Sequence, residues 1–273
     1  MEHLLSAWPR VIKQLRSARH ILLLLDYDGT LTPIVERPEL ANLPEGVKQL
    51  LQALVRQRRL TLGVISGRAL VDLKEKVGIR GIIYAGNHGL EIEGPGISLV
   101  NPLAEEFKPI LRLMRYVLSQ ALGAIKGVRV EDKGLTLSVH YRQVAADEST
   151  EVRDVFDRIA GGAARLGKIR ITSGKKVYEI RPAVAWDKGK VVKMLMKKYG
   201  KGGRKSGLLP IYIGDDLTDE DGFRVVENYG SGLSVFVGEK DYHTSARFFL
   251  GSPTEVAKFL SLLLEQARRD FSE

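Results

Sequence analysis

The run at residues 21–31, ILLLLDYDGTL, constrains this chain more than any other segment. Aliphatic residues from Ile21 to Leu25 lead into Asp26, Asp28 follows two positions later, and Gly29-Thr30 breaks the run. A continuous apolar stretch bounded by a turn signal reads as a strand buried on both faces, as in a parallel sheet. Carboxylates at the end of such a strand are costly unless something offsets their charge. A divalent cation or a catalytic task would account for them. Successive strand residues face opposite ways, so Asp26 and Asp28 are expected on one side.

The rest of the chain supplies a frame for that strand. Residues 60–65, 81–85, 208–213 and 233–237 read as further strands. Residues 90–92 and 97–100 flank Gly94-Pro95-Gly96 as a hairpin. Val47, Leu50, Leu51 and Leu54 share a helical face, with Pro44 as a plausible first helical residue. Val191, Val192, Leu195 and Tyr199 mark another helix, and Val256, Phe259, Leu260 and Leu263 mark the last. The middle of the chain has a different rhythm: helix (107–122), hairpin (128–131 and 135–141), helix (152–166), hairpin (169–172 and 177–180, around Ser173-Gly174-Lys175). That describes a small α+β module with one sheet face covered. The expected architecture is α/β, with a parallel-sheet core from residues 1–101 and 184–273 and residues 102–183 inserted as a second domain.

Composition narrows the function. There is no cysteine, which excludes disulfides, thiolate metal sites and a cysteine nucleophile, and fits a cytoplasmic protein. No stretch approaches the ~18 apolar residues of a membrane span, and the run at 21–25 ends in acids, unlike a signal peptide. The net charge of +9 favours anionic ligands. Lys and Arg are scattered, apart from small clusters at 56–59 and 197–205, so nucleic acid is not an expected partner.

In an open α/β sheet, ligands bind beyond the carboxyl ends of the strands, near a switch in strand order. Residues 26–30, 64–68, 87–89 and 214–216 each put polar groups at that edge. A lone aspartate after a strand is commonly a turn former or helix cap, but four such segments together point to a site. Several carboxylates in one cleft repel unless a cation joins them. Oxygen-only ligands suit Mg2+, and the five histidines show no zinc-ligand spacing.

These residues carry a resemblance. DYDGTL is similar to the nucleophile motif of the haloacid dehalogenase (HAD) superfamily of phosphohydrolases, and Ser66, Lys188 and GDDLTDED follow in the expected order. Within it the chain resembles the trehalose-6-phosphate phosphatase family. The resemblance rests on DYDGTLTPI (26–34), ISGR (65–68), GNHG (86–89) and VEDKGLTLSVHYR (130–142), with YEIRP (178–182), WDKG (186–189) and GDDLTDEDGF (214–223). It implies a HAD-like Rossmannoid core with an inserted α+β cap, Mg2+ as cofactor, and trehalose 6-phosphate as substrate in the last step of trehalose biosynthesis.

By the same resemblance Asp26 is the nucleophile and forms an aspartyl phosphate, while Asp28 is general acid and then base. A carboxylate can split the transfer into two steps, and a sugar alkoxide needs a proton to leave. Mg2+ is implied at the Asp26 carboxylate, the Asp28 carbonyl and Asp215, with Asp216 orienting metal waters or Lys188. Ser66 and Lys188 are implied to hold the phosphoryl oxygens. Arg68 is either a phosphate contact or a salt-bridge partner, and Asn87 and His88 lie near the sugar. Lys133, Arg142, Lys176, Glu179 and Arg181 are the cap candidates for sugar contacts, Lys176 and Glu179 foremost. Bland readings stand beside these: Ser66 as a cap for a helix from residue 67, and Lys188 as a surface lysine; Asp219 and Glu220 read as first-turn acids with a secondary role in supporting the metal site. Rival functions are another capped phosphatase acting on sucrose phosphate or a glycosyl phosphoglycerate, a non-catalytic phosphosugar-binding regulator, and a phosphoacceptor receiver domain. A monomer is expected.

Overall fold

In a computed structural model, which describes residues 1–174, 176–200 and 207–270, the aliphatic runs form strands and the segments of helical period form helices. Lys175 and part of the 197–205 basic cluster lie outside the described residues. The chain opens with β1 (Glu2–His3), α1 (Trp8–Ser17), β2 (His20–Leu25), α2 (Glu45–Val55), β3 (Leu60–Ile65), α3 (Leu70–Val77), β4 (Ile83–Gly86), β5 (Glu91–Gly94) and β6 (Ile97–Val100). A middle stretch follows, with α4 (Pro102–Glu105), α5 (Lys108–Leu122), β7 (Arg129–Asp132), β8 (Leu137–His140), α6 (Ser149–Arg165), β9 (Ile169–Gly174) and β10 (Val177–Pro182). The chain then returns through α7 (Lys188–Tyr199), β11 (Leu208–Gly214), α8 (Glu220–Tyr229), β12 (Leu233–Val237), β13 (Phe248–Leu250) and α9 (Pro253–Asp270). It divides into two units, one of Met1–Ser98 with Trp186–Glu273 and one of Leu99–Ala185.

The first unit is built on a sheet of order β1-β13-β12-β11-β2-β3-β4-β5-β6. Its neighbours pair in parallel from β1 through to β4, and β5 runs antiparallel to β4. β2 is central, and each of its residues from Ile21 to Leu25 is at most 2% exposed, as its unbroken apolar run requires. Ile21, Leu23 and Leu25 share a core cluster with Val47, Leu51 and Leu54 of α2 and Phe259, Leu260 and Leu263 of α9. Burial of each such side chain contributes about 2 kcal/mol, which lets the strand carry carboxylates at its end. Pro44 stands just outside α2 with extended geometry (φ −58°, ψ 137°), so the helix starts at Glu45 rather than at the proline.

The second unit carries a four-stranded sheet of order β7-β8-β10-β9, antiparallel throughout. One face buries Leu137, Val139 and Ile180 against Leu111, Leu118 and Leu122 of α5 and Val152, Phe156 and Ala160 of α6. α6 begins at Ser149, before the expected start at residue 152. Among the described residues, no helix is long and apolar enough to cross a membrane.

Candidate active site

Register brings the polar strand ends together. Leu25 pairs with Ile213 on one side and Val64 on the other. The Asp26 amide donates to the Ile213 carbonyl (2.9 Å) and the Ser66 amide to the Ala85 carbonyl (2.9 Å). Strands β3 and β4 lie on one side of the β2–β11 pair and β12 and β13 on the other, so the order reverses there. That is where open sheets bind ligands.

Lys188 is brought to this point by the start of α7. The Asp187 carboxylate caps the helix by accepting from the Lys190 amide (2.8 Å), and the Trp186 indole donates to the Gly89 carbonyl (2.8 Å). Lys188 is 3% exposed, and its Nζ donates to Asp26 Oδ1 (2.6 Å) and Asp219 Oδ1 (2.7 Å). It is a buried, paired cation and not a surface lysine. Asp219 is fully buried; it also accepts from the Tyr212 hydroxyl and from the amides of Asp215 (3.1 Å) and Asp216 (3.2 Å). Asp216 accepts from the Thr218 amide (2.8 Å) and hydroxyl (2.6 Å), closing the turn that leads into α8.

The electrostatics follow from this crowding. Burial pushes the Asp26 carboxyl well above its usual range; Lys188 opposes this, and Asp219, Asp215 and Asp216 add to it. Burial would lower Lys188, but Asp219 and Asp26 outweigh it and hold the ammonium charged. Burial and Asp219 push the Tyr212 phenol upward, so it stays a donor. Asp26, Asp215 and Asp219 each offer an oxygen within 4.8 Å of the others. Such an all-oxygen set fits a hard divalent cation. Asp219 already meets four protein donors, so Asp26 and Asp215 fit a ligand role better. Gly29 has a positive φ of 89°, and a Cβ there would lie 2.1 Å from Asp215 Oδ2, so the loop after Asp26 passes directly against Asp215.

The second acid has a different environment. β2 ends at Leu25, so Asp26 and Asp28 lie beyond the strand, and strand alternation does not govern where they point. Asp28 accepts from Arg68 Nε and Nη2, both at 2.7 Å. Arg68 Nη1 donates to Asp72 (2.7 Å), Nη2 also donates to the Pro38 carbonyl (2.8 Å), and the guanidinium lies 5.2 Å from the Tyr27 ring centroid. Arg68 thus forms salt bridges with Asp28 and Asp72, as one of its two readings expects. Ser66 Oγ accepts from the Arg68 amide (3.2 Å), and α3 starts only at Leu70, so Ser66 does not cap it. Asn87 and His88 are buried, at positive φ of 49° and 56°. Their amides donate to the Arg68 (2.7 Å) and Ser66 (2.9 Å) carbonyls, and Asn87 Nδ2 donates to Glu91 (2.7 Å). Left-handed geometry costs on the order of 1–3 kcal/mol at each non-glycine residue and tends to cluster at functional sites.

In the second unit, the sheet face away from the helices is polar. Glu131, Ser138, Glu179 and Thr172 form one cross-strand row. Glu179 accepts from Lys133 Nζ (3.3 Å), Arg181 Nε (2.6 Å) and Thr172 Oγ1 (3.5 Å). Glu131 Oε2 lies 2.7 Å from His140 Nε2. Burial would raise Glu131, but His140, Lys133 and Arg129 prevail and bring its carboxyl down to about 2. Lys176 does not join this group. It has a positive φ of 62°, and its Nζ lies 3.4 Å from Ser149 Oγ and 5.7 Å from the Tyr141 ring centroid. Those residues, with Thr150, Arg153 and Tyr178, line a cavity of about 230 Å³. Arg142 is exposed beyond β8. The sequence gives Asp219 only a secondary, metal-supporting role and does not single out Tyr212, Asp72, Glu131 or His140. Asp219 and Glu131 lie inside GDDLTDED and VEDK, whose residues were the available signal.

Comparison with known proteins gives a consistent picture. The family model described as trehalose-phosphatase matches residues 24–254. The chain is 35% identical over 262 residues to trehalose 6-phosphate phosphatase RA3 of Zea mays, spanning 90% of this chain and 70% of that one. It is 40% identical over 253 residues to a trehalose-phosphate phosphatase of Mycobacterium tuberculosis, spanning 92% of this chain and 63% of the other. It is similar in structure to the C-terminal domain of C. albicans trehalose-6-phosphate phosphatase, with a TM-score of 0.82 at 25% identity, covering 94% of this chain and 96% of that one.

Proposed function

The chain belongs to the trehalose-phosphatase family, and from that premise we propose that it hydrolyses trehalose 6-phosphate to trehalose and phosphate, with Mg2+, through an aspartyl phosphate on Asp26. The observation that carries this reading is the buried Lys188 ammonium, 2.6 Å from Asp26 Oδ1 at the point where the strand order reverses. A fixed cation beside a nucleophilic carboxylate suits phosphoryl transfer, where catalysis is mostly positioning and charge stabilisation.

Asp26 attacks phosphorus, and the bond from phosphorus to the sugar oxygen breaks. Asp28 gives that oxygen a proton. Asp28 then takes a proton from water, the water oxygen bonds to phosphorus, and the Asp26 carboxylate leaves with phosphate as product. Lys188 and the Ser66 hydroxyl donate to the phosphoryl oxygens throughout. Arg68 donates to both Asp28 oxygens, so Asp28 gives up one of these contacts when it carries the proton to the sugar oxygen. The carboxylates of Asp26 and Asp215 and the Asp28 carbonyl would hold Mg2+, with Asp216 beside them. When bound, that ion supplies charge that offsets the anionic nucleophile and phosphoryl group.

Glu179, Lys133 and Arg181 recognise the disaccharide, joined by Glu131 and His140; Asn87, His88 and Arg142 add polar contacts. Alternating donors and acceptors suit a ligand rich in hydroxyls, because an analogue that leaves such groups unmatched is rejected. Lys176, turned toward Ser149 and Tyr141, is left out of this set.

The test is a chemical trap. Enzyme mixed with Mg2+ and trehalose 6-phosphate, quenched and reduced with borohydride, should carry homoserine at position 26, and sucrose 6-phosphate should give far less. Homoserine at another aspartate, or equal labelling from both sugars, would contradict the proposal.

A further inference from the structure

Among the four donors to Asp219, one is a side chain that the chemistry above leaves without a task. Tyr212 lies within β11, fully buried between Ile211 and Ile213. A strand buried on both faces ordinarily takes an aliphatic residue there, and a phenol is costly unless its hydroxyl finds a partner. The fold makes room for this one. The ring meets Phe223 of α8 with centroids 5.5 Å apart, and a Cβ at Gly222 would lie 2.3 Å from a ring carbon. Glycine inside a helix costs about 1 kcal/mol relative to alanine, and here it clears the space the ring occupies.

The Tyr212 hydroxyl donates to Asp219 Oδ1, the same oxygen that accepts from Lys188 Nζ at 2.7 Å. Asp219 Oδ2 accepts from two backbone amides, at 3.1 and 3.2 Å. A carboxylate offers about four lone-pair sites, so Asp219 is held from four directions. Lys188 has a long flexible stem, and among the described residues its head is aimed by Asp26 and Asp219. Once Asp26 carries the phosphoryl group, its charge is no longer available to Lys188, and the aim depends on Asp219.

We propose that Tyr212 is a positioning residue for the phosphoryl transfer: its hydroxyl fixes the Asp219 carboxylate that aims the Lys188 ammonium. This rests on the reading of Lys188 as the ligand of the phosphoryl oxygens.

Tyr212→Phe tests it, since the ring and its Phe223 contact remain and only the oxygen is lost. The kcat for trehalose 6-phosphate should fall about tenfold to a hundredfold, the loss expected for a hydrogen bond to a charged group. KM should move less than about threefold, because the sugar contacts are elsewhere, and the melting temperature should stay within a few degrees of wild type. A crystal structure of the variant should show Asp219 rotated or Lys188 withdrawn from it. Adding Tyr212→Phe to Asp219→Asn should cost no further kcat, because the two changes break one device. A kcat within twofold of wild type, unmoved Asp219 and Lys188 beside a lost kcat, or a fully additive double variant would each overturn the proposal. If the wild type fails to hydrolyse trehalose 6-phosphate, the activity reading fails separately, and the crystal structure still judges Tyr212.

Discussion

A lysine 3% exposed survives in this core because Asp26 and Asp219 both meet it; unpaired, it would be strongly destabilising. Asp26→Asn keeps the volume and removes one charge from a crowd of carboxylates. Turnover should drop by at least about a thousandfold, because an amide is a poor nucleophile toward phosphorus, while melting by circular dichroism stays close to wild type. Near-normal turnover would remove Asp26 as the attacking group. Gly29→Ala would press a methyl group against Asp215 in a backbone geometry that alanine avoids. The Mg2+ concentration for half-maximal activity should rise at least about tenfold; an unchanged titration would separate Asp215 from the metal. Asp26, Ser66, Lys188 and Asp215 are singled out in the sequence by the resemblance of their motifs to a known family, and the structure brings Asp26 and Lys188 within a hydrogen bond. For Asp219 the sequence shows a helix-start acid supporting the metal site but not its hold on Lys188, since an acid at a helix start looks the same whether it faces water or anchors a buried cation. The sequence leaves Arg68 open between two roles, and in the structure its guanidinium meets Asp28 and Asp72.

Strands were legible where burial on both faces leaves an unbroken apolar run, as in β2, β3 and β12. β1 and β13 span two and three residues, too short for any periodicity to register. In the second unit both hairpins are legible from their turn residues, but Lys176, three positions from Glu179, reaches Ser149 and Tyr141 rather than the Glu179 face. Glu179→Ala should raise KM for trehalose 6-phosphate about tenfold or more, with little change for small phosphate esters; an unchanged profile would remove the polar sheet face from substrate recognition. Glu131 gives this sheet a pH dependence. Its carboxyl sits near 2 in the fold, below the ordinary 4.5, so the fold favours the charged form. The stability it contributes is complete above the unfolded value and is lost as pH falls toward 2. Glu131→Gln should be less stable than wild type at neutral pH in urea unfolding, with the gap narrowing below about pH 4.5 and closing near pH 2. A gap that stays constant with pH would mean the ion pairing of Glu131 adds nothing.

At the scale of the whole molecule, the chain has a haloacid dehalogenase-like α/β fold, a largely parallel sheet with a smaller α+β unit inserted in its sequence. The parallel sheet gathers loops from distant parts of the chain at one edge: Lys188 and Asp26 are 162 positions apart in sequence and share a hydrogen bond. Such an arrangement separates two questions. On the proposed reading, the edge residues carry the reaction and the choice of phosphate ester is a separate property. Both are tested together by phosphate release from trehalose 6-phosphate, sucrose 6-phosphate and glucose 6-phosphate, each with Mg2+ and again with a chelator. Release should be fastest from trehalose 6-phosphate by about a hundredfold in kcat/KM and should vanish on chelation. Equal rates across the sugars, or activity that survives the chelator, would contradict it.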